Sequence, residues 1–226
     1  MKLVLTCEHA FNTIPKEYRY LFMDSGSVLE SHRGYDPGAF DLFRELVPLS
    51  DHSEYQKTGR LLVEVNRSLK HPFLFSEFTK HLPRQEKEKI LKNFYFPYRN
   101  SVEQSISEFI RNGEQVLHLS VHSFTPFFNE MLRNADIGIL YDPSRKNEKE
   151  TGKEFKRRLQ QNLPDLRIRF NYPYLGKADG FTTYLRRMFP DHYTGIELEV
   201  NQEFVTRNKM NRAIKKAVKT ALNNLL

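Results

Sequence analysis

The chain predicts an α/β fold, a three-layer α/β/α sandwich around a mostly parallel, mixed sheet. Short apolar segments of strand length alternate with amphipathic helical segments along its 226 residues, the rhythm of successive βα units. Several strand segments end in ionisable side chains, among them His9, His122 and Glu199. Chemistry in open α/β sheets collects where strands give way to loops. No repeat, low-complexity tract or linker divides the chain, and its length can bury a substantial core, so residues 1–226 are read as one domain.

Lys2 to Thr6 is a short apolar run and reads as the first strand, with Cys7-Glu8-His9-Ala10 at its end. His9 there is either a ligand or a strand-end histidine capped by its neighbour; Glu8 is either a ligand or the partner that orients an imidazole. Asp36 before Pro37 is a good helix start, with Phe40, Phe43, Leu46 and Val47 at helical apolar spacing behind it. A plain N-cap accounts for Asp36, and a carboxylate metal ligand is the sharper alternative. Leu61 to Val65 reads as a strand, entered at Arg60 and left at Asn66-Arg67. An arginine at either end offers a planar fork that matches a carboxylate with two hydrogen bonds.

From Glu86 to Asn112 the pattern is helical, with Pro97 expected to break or kink it and Gly113 to end it. Gln115 to Val121 follows, apolar enough to be buried on both faces at the centre of a sheet. His122 and Ser123 stand at its carboxyl end, where a histidine can offer a ring nitrogen to a metal, carry a proton, or simply hydrogen-bond. Arg133 sits in the loop beyond. Asp136 to Tyr141 is another strand, Lys146 to Leu163 a charged helix bounded by Pro164, and Leu166 to Phe170 an edge strand.

Tyr172 to Gly180 is a turn-rich loop, and Phe181 to Met188 a short helix. Gly195 to Val200 is the last strand and an unusual one. Glu197 and Glu199 lie two apart and so share one face of a strand otherwise built of Ile, Leu and Val. Carboxylates in a buried strand are costly unless paired or put to use, and this is the strongest physical sign of a site in the chain. Phe204 to Leu225 closes the sequence as a helix with Ile214, Val218, Ala221, Leu222 and Leu225 on one face.

Composition narrows the function. The formal net charge is +7, which could attract an acidic partner or a small anion. Much of the excess lies in the helical runs Arg145–Arg158 and Arg207–Lys219, where solvated helix faces explain it, and no RNA-binding or zinc-finger signature accompanies it. Nucleic acid is therefore the lesser expectation. No apolar run is long enough to span a bilayer, and the first residues do not form a secretory signal. A single cysteine, Cys7, excludes an internal disulfide and a Cys-rich zinc module. A cytoplasmic protein is expected, its oligomeric state open.

Three strand exits thus carry His9, His122 and Glu199, and a fourth carries Asn66-Arg67, a set suited to a metal site with an acid/base glutamate and an arginine anchor. With these residues in place the sequence resembles the N-formylglutamate amidohydrolase family. The resemblance rests on Cys7-Glu-His-Ala-Phe-Asn-Thr-Ile-Pro15, Tyr35-Asp-Pro-Gly-Ala39, Gly59-Arg60 with Val65-Asn-Arg67, Phe96-Pro-Tyr98, His122-Ser-Phe-Thr-Pro126 with Asp136-Ile-Gly-Ile-Leu140, Ala178-Asp-Gly180 and Glu199-Val-Asn-Gln202. His-Ser-Phe-Thr-Pro is the most specific of them.

The resemblance implies a phosphorylase/hydrolase-like fold similar to that of zinc carboxypeptidases, with Zn²⁺ held by His9 and His122. The third ligand is Asp36 or, alternatively, Glu8; the related carboxypeptidases place a glutamate where this chain has Asn12. Glu199 rather than Glu197 matches the family's glutamate, by the Val-Asn-Gln that follows it, and is expected to be the general base. Arg60, Asn66, Arg67 and Arg133 are expected to bind substrate, a small anionic N-acyl amino acid such as N-formyl-L-glutamate. A carboxypeptidase or deacylase acting on other N-acyl or peptide substrates is the rival. The chain departs from the family at Arg99, where a histidine is common, and at Glu64-Val-Asn-Arg67, where Asp-Leu-Asn-Arg is. Both bear on the substrate more than on the chemistry.

Overall fold

Six strands form one mixed sheet, and the computed structural model describes residues 1–226. β1 (Lys2–Cys7) leads through a single helical turn, α1 (Gly26–Leu29), to α2 (Ala39–Leu46) and the edge strand β2 (His52–Tyr55). A long irregular segment then reaches α3 (Arg84–Ile90) and α4 (Phe96–Arg111), followed by β3 (Val116–Phe124). A small hairpin, β4 (Phe127–Phe128) and β5 (Met131–Leu132), precedes β6 (Ile137–Leu140), α5 (Lys146–Asn162) and β7 (Ile168–Phe170). The chain ends with α6 (Phe181–Met188), β8 (Tyr193–Asn201), a second hairpin of β9 (Val205–Thr206) and β10 (Lys209–Met210), and α7 (Arg212–Asn223).

The sheet order is β2-β1-β3-β8-β6-β7, and only the β6–β8 pairing is antiparallel. From β1 the chain passes to β2 on one side, whereas β3 is followed by strands on the other. The carboxyl ends of β1 and β3 therefore flank a topological switch point, where open α/β sheets form their crevice.

The two faces of this sheet differ. Alternate side chains Leu3, Leu5, Leu117, Leu119, Val121, Ile196, Leu198, Ile137 and Ile139 form one wholly apolar face, covered by Leu42, Phe43 and Leu46 of α2, Phe155 and Leu159 of α5, and Ile214, Val218 and Leu222 of α7. The other face starts apolar with Val4, Val116 and Tyr193 under α4 and α6, then turns polar toward the strand ends through Thr6, His118, Ser120, His122, Glu197 and Glu199. β3 is buried along its whole length, as its sequence predicts.

Four local expectations change. The helix expected from Phe204 starts only at Arg212, because Val205–Met210 turn back as the β9–β10 hairpin. Residues 61–65 form a buried loop instead of a strand: Leu62 and Val63 pack in the second apolar cluster. Side chains satisfy its carbonyls in place of a ladder, with Thr79 Oγ1 donating to Leu62 (3.1 Å) and Arg99 Nη1 to Val65 (2.8 Å). A five-residue apolar run does not by itself distinguish the two outcomes. Asp36 does not cap α2. That place falls to Gly38 at φ 77°, and the Asp36 carboxylate turns to the crevice. Pro97 does not end its helix, because it lies in the first turn of α4, just after a π-helical turn at Leu91–Tyr95.

One buried ion pair ties the outer layers to β8. Glu148 in α5 accepts from Arg186 Nε of α6 at 2.8 Å, from the amide of Gly195 at 3.2 Å, and from the amide of Asp142 at 2.8 Å; Arg186 Nη2 also donates to the Gly195 carbonyl at 3.0 Å. Removing one partner leaves the other charge buried and uncompensated. Glu148→Ala is expected to cost about 3–5 kcal/mol of unfolding free energy, measured by urea denaturation, whereas an exposed pair such as Arg84–Glu88 removed by Glu88→Ala is expected to change it by under about 1 kcal/mol.

Candidate metal centre and active site

At the switch point His9, Asp36 and His122 converge, all buried, each offering one ligand atom within 4.8 Å of the others. The imidazole rings lie 4.9 Å apart between centroids. Both turn Nδ1 toward the same oxygen, Asp36 Oδ2, at 3.3 Å from His9 and 2.9 Å from His122. Both give Nε2 to a second carboxylate: His9 to Glu64 Oε1 at 2.7 Å, His122 to Glu8 Oε2 at 3.2 Å and to Ser120 Oγ at 2.8 Å. An imidazole whose Nε2–H is held by a carboxylate presents the lone pair of Nδ1, the tautomer a metal needs. The donor set and its backing fit a divalent cation held by two imidazole nitrogens and a carboxylate.

The backing carboxylates are fixed in turn. Glu8 also accepts from Ser120 Oγ at 2.6 Å and Tyr98 OH at 3.0 Å, and Glu64 from Arg60 Nε at 2.7 Å and the Asn66 amide at 3.0 Å. Burial alone would raise the pKa values of Glu8, Asp36 and Glu64, but the histidines and Arg60 hold all three well below the usual carboxylate range. Burial likewise opposes a charge on His122, yet Asp36 and Glu8 raise its pKa well above 6.5. A cation entering among these groups would displace that proton, so metal uptake here is coupled to proton release. Glu8 thus stands behind His122, away from the ligand atoms that meet at Asp36.

Glu199 pairs in register with His122 across β3 and β8. Its Oε2 is buried and makes no hydrogen bond. Burial, reinforced by the carboxylates of Asp36 and Glu197 against the pull of His122, pushes its carboxyl up to about 8. Glu197, opposite Ser120, lines the same pocket, partly exposed, and accepts from Thr182 Oγ1. The pocket, of about 420 Å³, is floored by the two histidines and Asp36 and walled by Phe124, Pro173, Tyr174 and Leu175.

The expected substrate residues divide. Arg60, Asn66 and Arg67 line the pocket and Arg133 does not. Arg60 is engaged by Glu64 at 2.6 Å and by Asp36 at 3.4 Å. Asn66 Oδ1 accepts from the Phe181 amide at 2.7 Å, which leaves its amide nitrogen for a ligand. Arg67 donates to the Asp179 carbonyl from the pocket wall. Arg133 is buried behind Tyr174, donating to its hydroxyl at 3.1 Å and stacked between its ring and Phe128. It acts on the pocket from behind, by steadying that tyrosine and through its charge on Glu199 and His32. Sequence reading overlooked Glu64 as the support of His9, and Tyr174. Glu64 carried one signal, an acidic residue two before the Asn-Arg pair.

A buried, carboxylate-backed cluster at the carboxyl ends of a mostly parallel sheet marks a candidate enzyme site on an α/β fold. Its sequence matches the model of the N-formylglutamate amidohydrolase family over residues 1–206, and the chain belongs to that family. It is similar to the crystal structure of a gene product of Agrobacterium tumefaciens, with 26% identity and a TM-score of 0.78 over 99% of this chain and 88% of that one. An N-formylglutamate amidohydrolase from Ralstonia eutropha matches with a TM-score of 0.71 over 100% of this chain and 91% of that one; at 14% identity the likeness is one of fold. No curated protein sequence matches the chain. No helix is long and apolar enough to cross a membrane.

If the carboxylates behind the imidazoles set ligand orientation, Glu8→Gln and Glu64→Gln should each weaken metal binding by about 10–100-fold, the usual consequence of losing such a partner. His122→Ala should lose stoichiometric metal altogether. Competition with a chromophoric chelator, on protein whose circular dichroism is unchanged, measures both; equal affinity in all variants would show that the cluster holds no metal.

Proposed function

We propose that the protein is a zinc-dependent amidohydrolase, a single catalytic domain of residues 1–226 acting in the cytoplasm on the amide bond of an N-acyl amino acid. The family makes N-formyl-L-glutamate, cleaved to L-glutamate and formate, the first substrate to test. The single observation that carries the reading is the facing pair of Nδ1 atoms at Asp36 Oδ2, each ring held from behind by its own carboxylate, with the unpartnered Glu199 in register beside them.

His9 Nδ1, Asp36 and His122 Nδ1 would hold the ion. Zinc bound there would supply a Lewis acid for the scissile carbonyl and lower the pKa of water in the site. Glu199 takes the proton from the attacking water and delivers it to the leaving amine; a carboxyl raised toward neutrality is suited to both directions of transfer. Asn66 and Arg67 hold the substrate carboxylate, the arginine by charge and the asparagine by its free amide donors. The apolar wall of Phe124, Pro173 and Leu175 limits water around the reacting centre.

The basic helices give less support to nucleic-acid binding. Glu154 pairs with Arg157 and Arg158, Asp41 with Lys209 and Lys215, and Glu45 with Lys219, so much of their charge is balanced on the surface.

Glu199→Gln is expected to retain zinc and lower kcat by at least ~10²-fold, the scale of positioned proton transfer. Glutamine keeps the shape and cannot take the proton. Steady-state kinetics with N-formyl and N-acetyl amino acids, alongside metal analysis, measures the loss, and Glu197→Gln serves as the comparison. Full activity of Glu199→Gln would remove Glu199 from the mechanism.

A further inference from the structure

The reading of the pocket as an N-acyl amino acid site leaves one of its carboxylates without a task. Glu197 shares the polar face with Glu199 but lies opposite Ser120 instead of His122. It makes no ion pair with any lysine or arginine. Its hydrogen bond in the pocket comes from the neutral Thr182 hydroxyl. Arg186 lies within range of its charge but is bound to Glu148 and the Gly195 carbonyl, so the pocket-facing side of Glu197 is open to a cation brought by a ligand.

The cations of the pocket point the same way. Arg60 is held between Glu64 and Asp36, and Arg133 lies outside behind Tyr174. Burial and the nearby arginines lower the pKa of His32, so it adds no charge at neutral pH. Arg67 alone remains, enough for one carboxylate, and every N-acyl amino acid brings that one at its α-carbon. A second carboxylate in the substrate would find no second arginine and would enter a pocket that already contains Glu197 and Asp179.

The space beside Glu197 is open for a side chain. A Cβ placed on Gly180 would lie 3.9 Å from Glu197 Oε1 and 3.3 Å from Asn66 Oδ1, so the bare glycine leaves room in front of two acceptor oxygens. Each already accepts one neutral donor, the Thr182 hydroxyl at Glu197 and the Phe181 amide at Asn66, and each keeps a lone pair toward that space, which suits an ammonium or guanidinium group.

We propose that Glu197 is the specificity residue of this site and that it selects N-acyl amino acids with a cationic side chain, of the lysine, ornithine or arginine type, over N-acyl glutamate. The inference rests on the amidohydrolase reading and narrows its substrate. Arg67 and Asn66 take the α-carboxylate, Glu199 serves the scissile amide, and Glu197 meets the distal cation.

The test compares kcat/KM for N-formyl-arginine, N-formyl-lysine, N-formyl-norleucine and N-formyl-glutamate on the zinc-loaded enzyme. The basic substrates should exceed norleucine by about 10–100-fold, the range for a charged hydrogen-bonded contact, and glutamate should fall below norleucine. Glu197→Gln should bring the arginine-to-norleucine ratio near one, and Glu197→Lys should turn the preference toward glutamate. Preference for glutamate in the wild type, or a ratio unmoved by Glu197→Gln, overturns the proposal. So does a loss of kcat on every substrate in Glu197→Gln, which would make it a proton carrier.

Binding of the free amino acids is measured in parallel by calorimetry. If no substrate turns over, the hydrolase reading fails; binding of arginine in preference to glutamate, lost in Glu197→Gln, would still support Glu197 as a cation site, and the reverse order would refute it.

Discussion

Burying ionised groups at a sheet end is the constraint on which this structure turns. A carboxylate or imidazolium withdrawn from water is costly unless its lone pairs and protons find partners. Here that requirement yields one connected chain of contacts, Tyr98–Glu8–Ser120–His122–Asp36–His9–Glu64–Arg60. It links β1, β3, α4 and two loops that otherwise have no reason to meet. The 60–67 loop is drawn inside because Glu64 must reach His9, and its apolar residues Leu62, Val63 and Val65 fill the layer beneath α4 and α6.

The same demand explains why the two faces of the sheet are so unlike. One face is given over to packing, and its alternating Leu, Ile and Val residues meet three helices without a polar interruption. The other face carries the chemistry and must admit a loop over its polar end. Gly138 on β6 makes that approach feasible: a Cβ there would come within 2.0 Å of the Tyr172 carbonyl and 3.2 Å of Glu199 Cβ. The missing side chain lets the 172–180 segment lie close against the strand, bringing Pro173, Tyr174 and Leu175 to the pocket.

What could be read from the sequence follows from how far each signal reaches along the chain. β1, β3, β8 and α6 were legible because burial alone sets their patterns, and the spacing of Glu197 and Glu199 correctly placed both on one face. β2 was not legible, since an edge strand of His52-Ser-Glu-Tyr55 has no apolar alternation. Asp36 looked like a helix cap because Asp-Pro is a good one locally; its partner His122 is 86 residues away. Glu64 was hidden for the same reason, 55 residues from the imidazole it supports. The two candidate ligand histidines stood at strand ends, whereas Asp36 and the groups behind the imidazoles are chosen by tertiary proximity and leave little trace in local pattern.

Glu197 and Glu199 show how much a shift of two residues in register decides. Both carboxylates sit on one face of one strand, with the same backbone support and the same pocket before them. Glu199 falls opposite His122, where Asp36 and Glu197 repel its charge and its free oxygen has no donor. Glu197 falls opposite Ser120, is partly open to the pocket, and receives a hydroxyl from Thr182, which stabilises it as an acceptor. Chemical identity is therefore no guide to role here. The neighbouring strand sets the local field, and two identical side chains 2 residues apart stand in different surroundings because β3 presents an imidazole to one and a serine to the other.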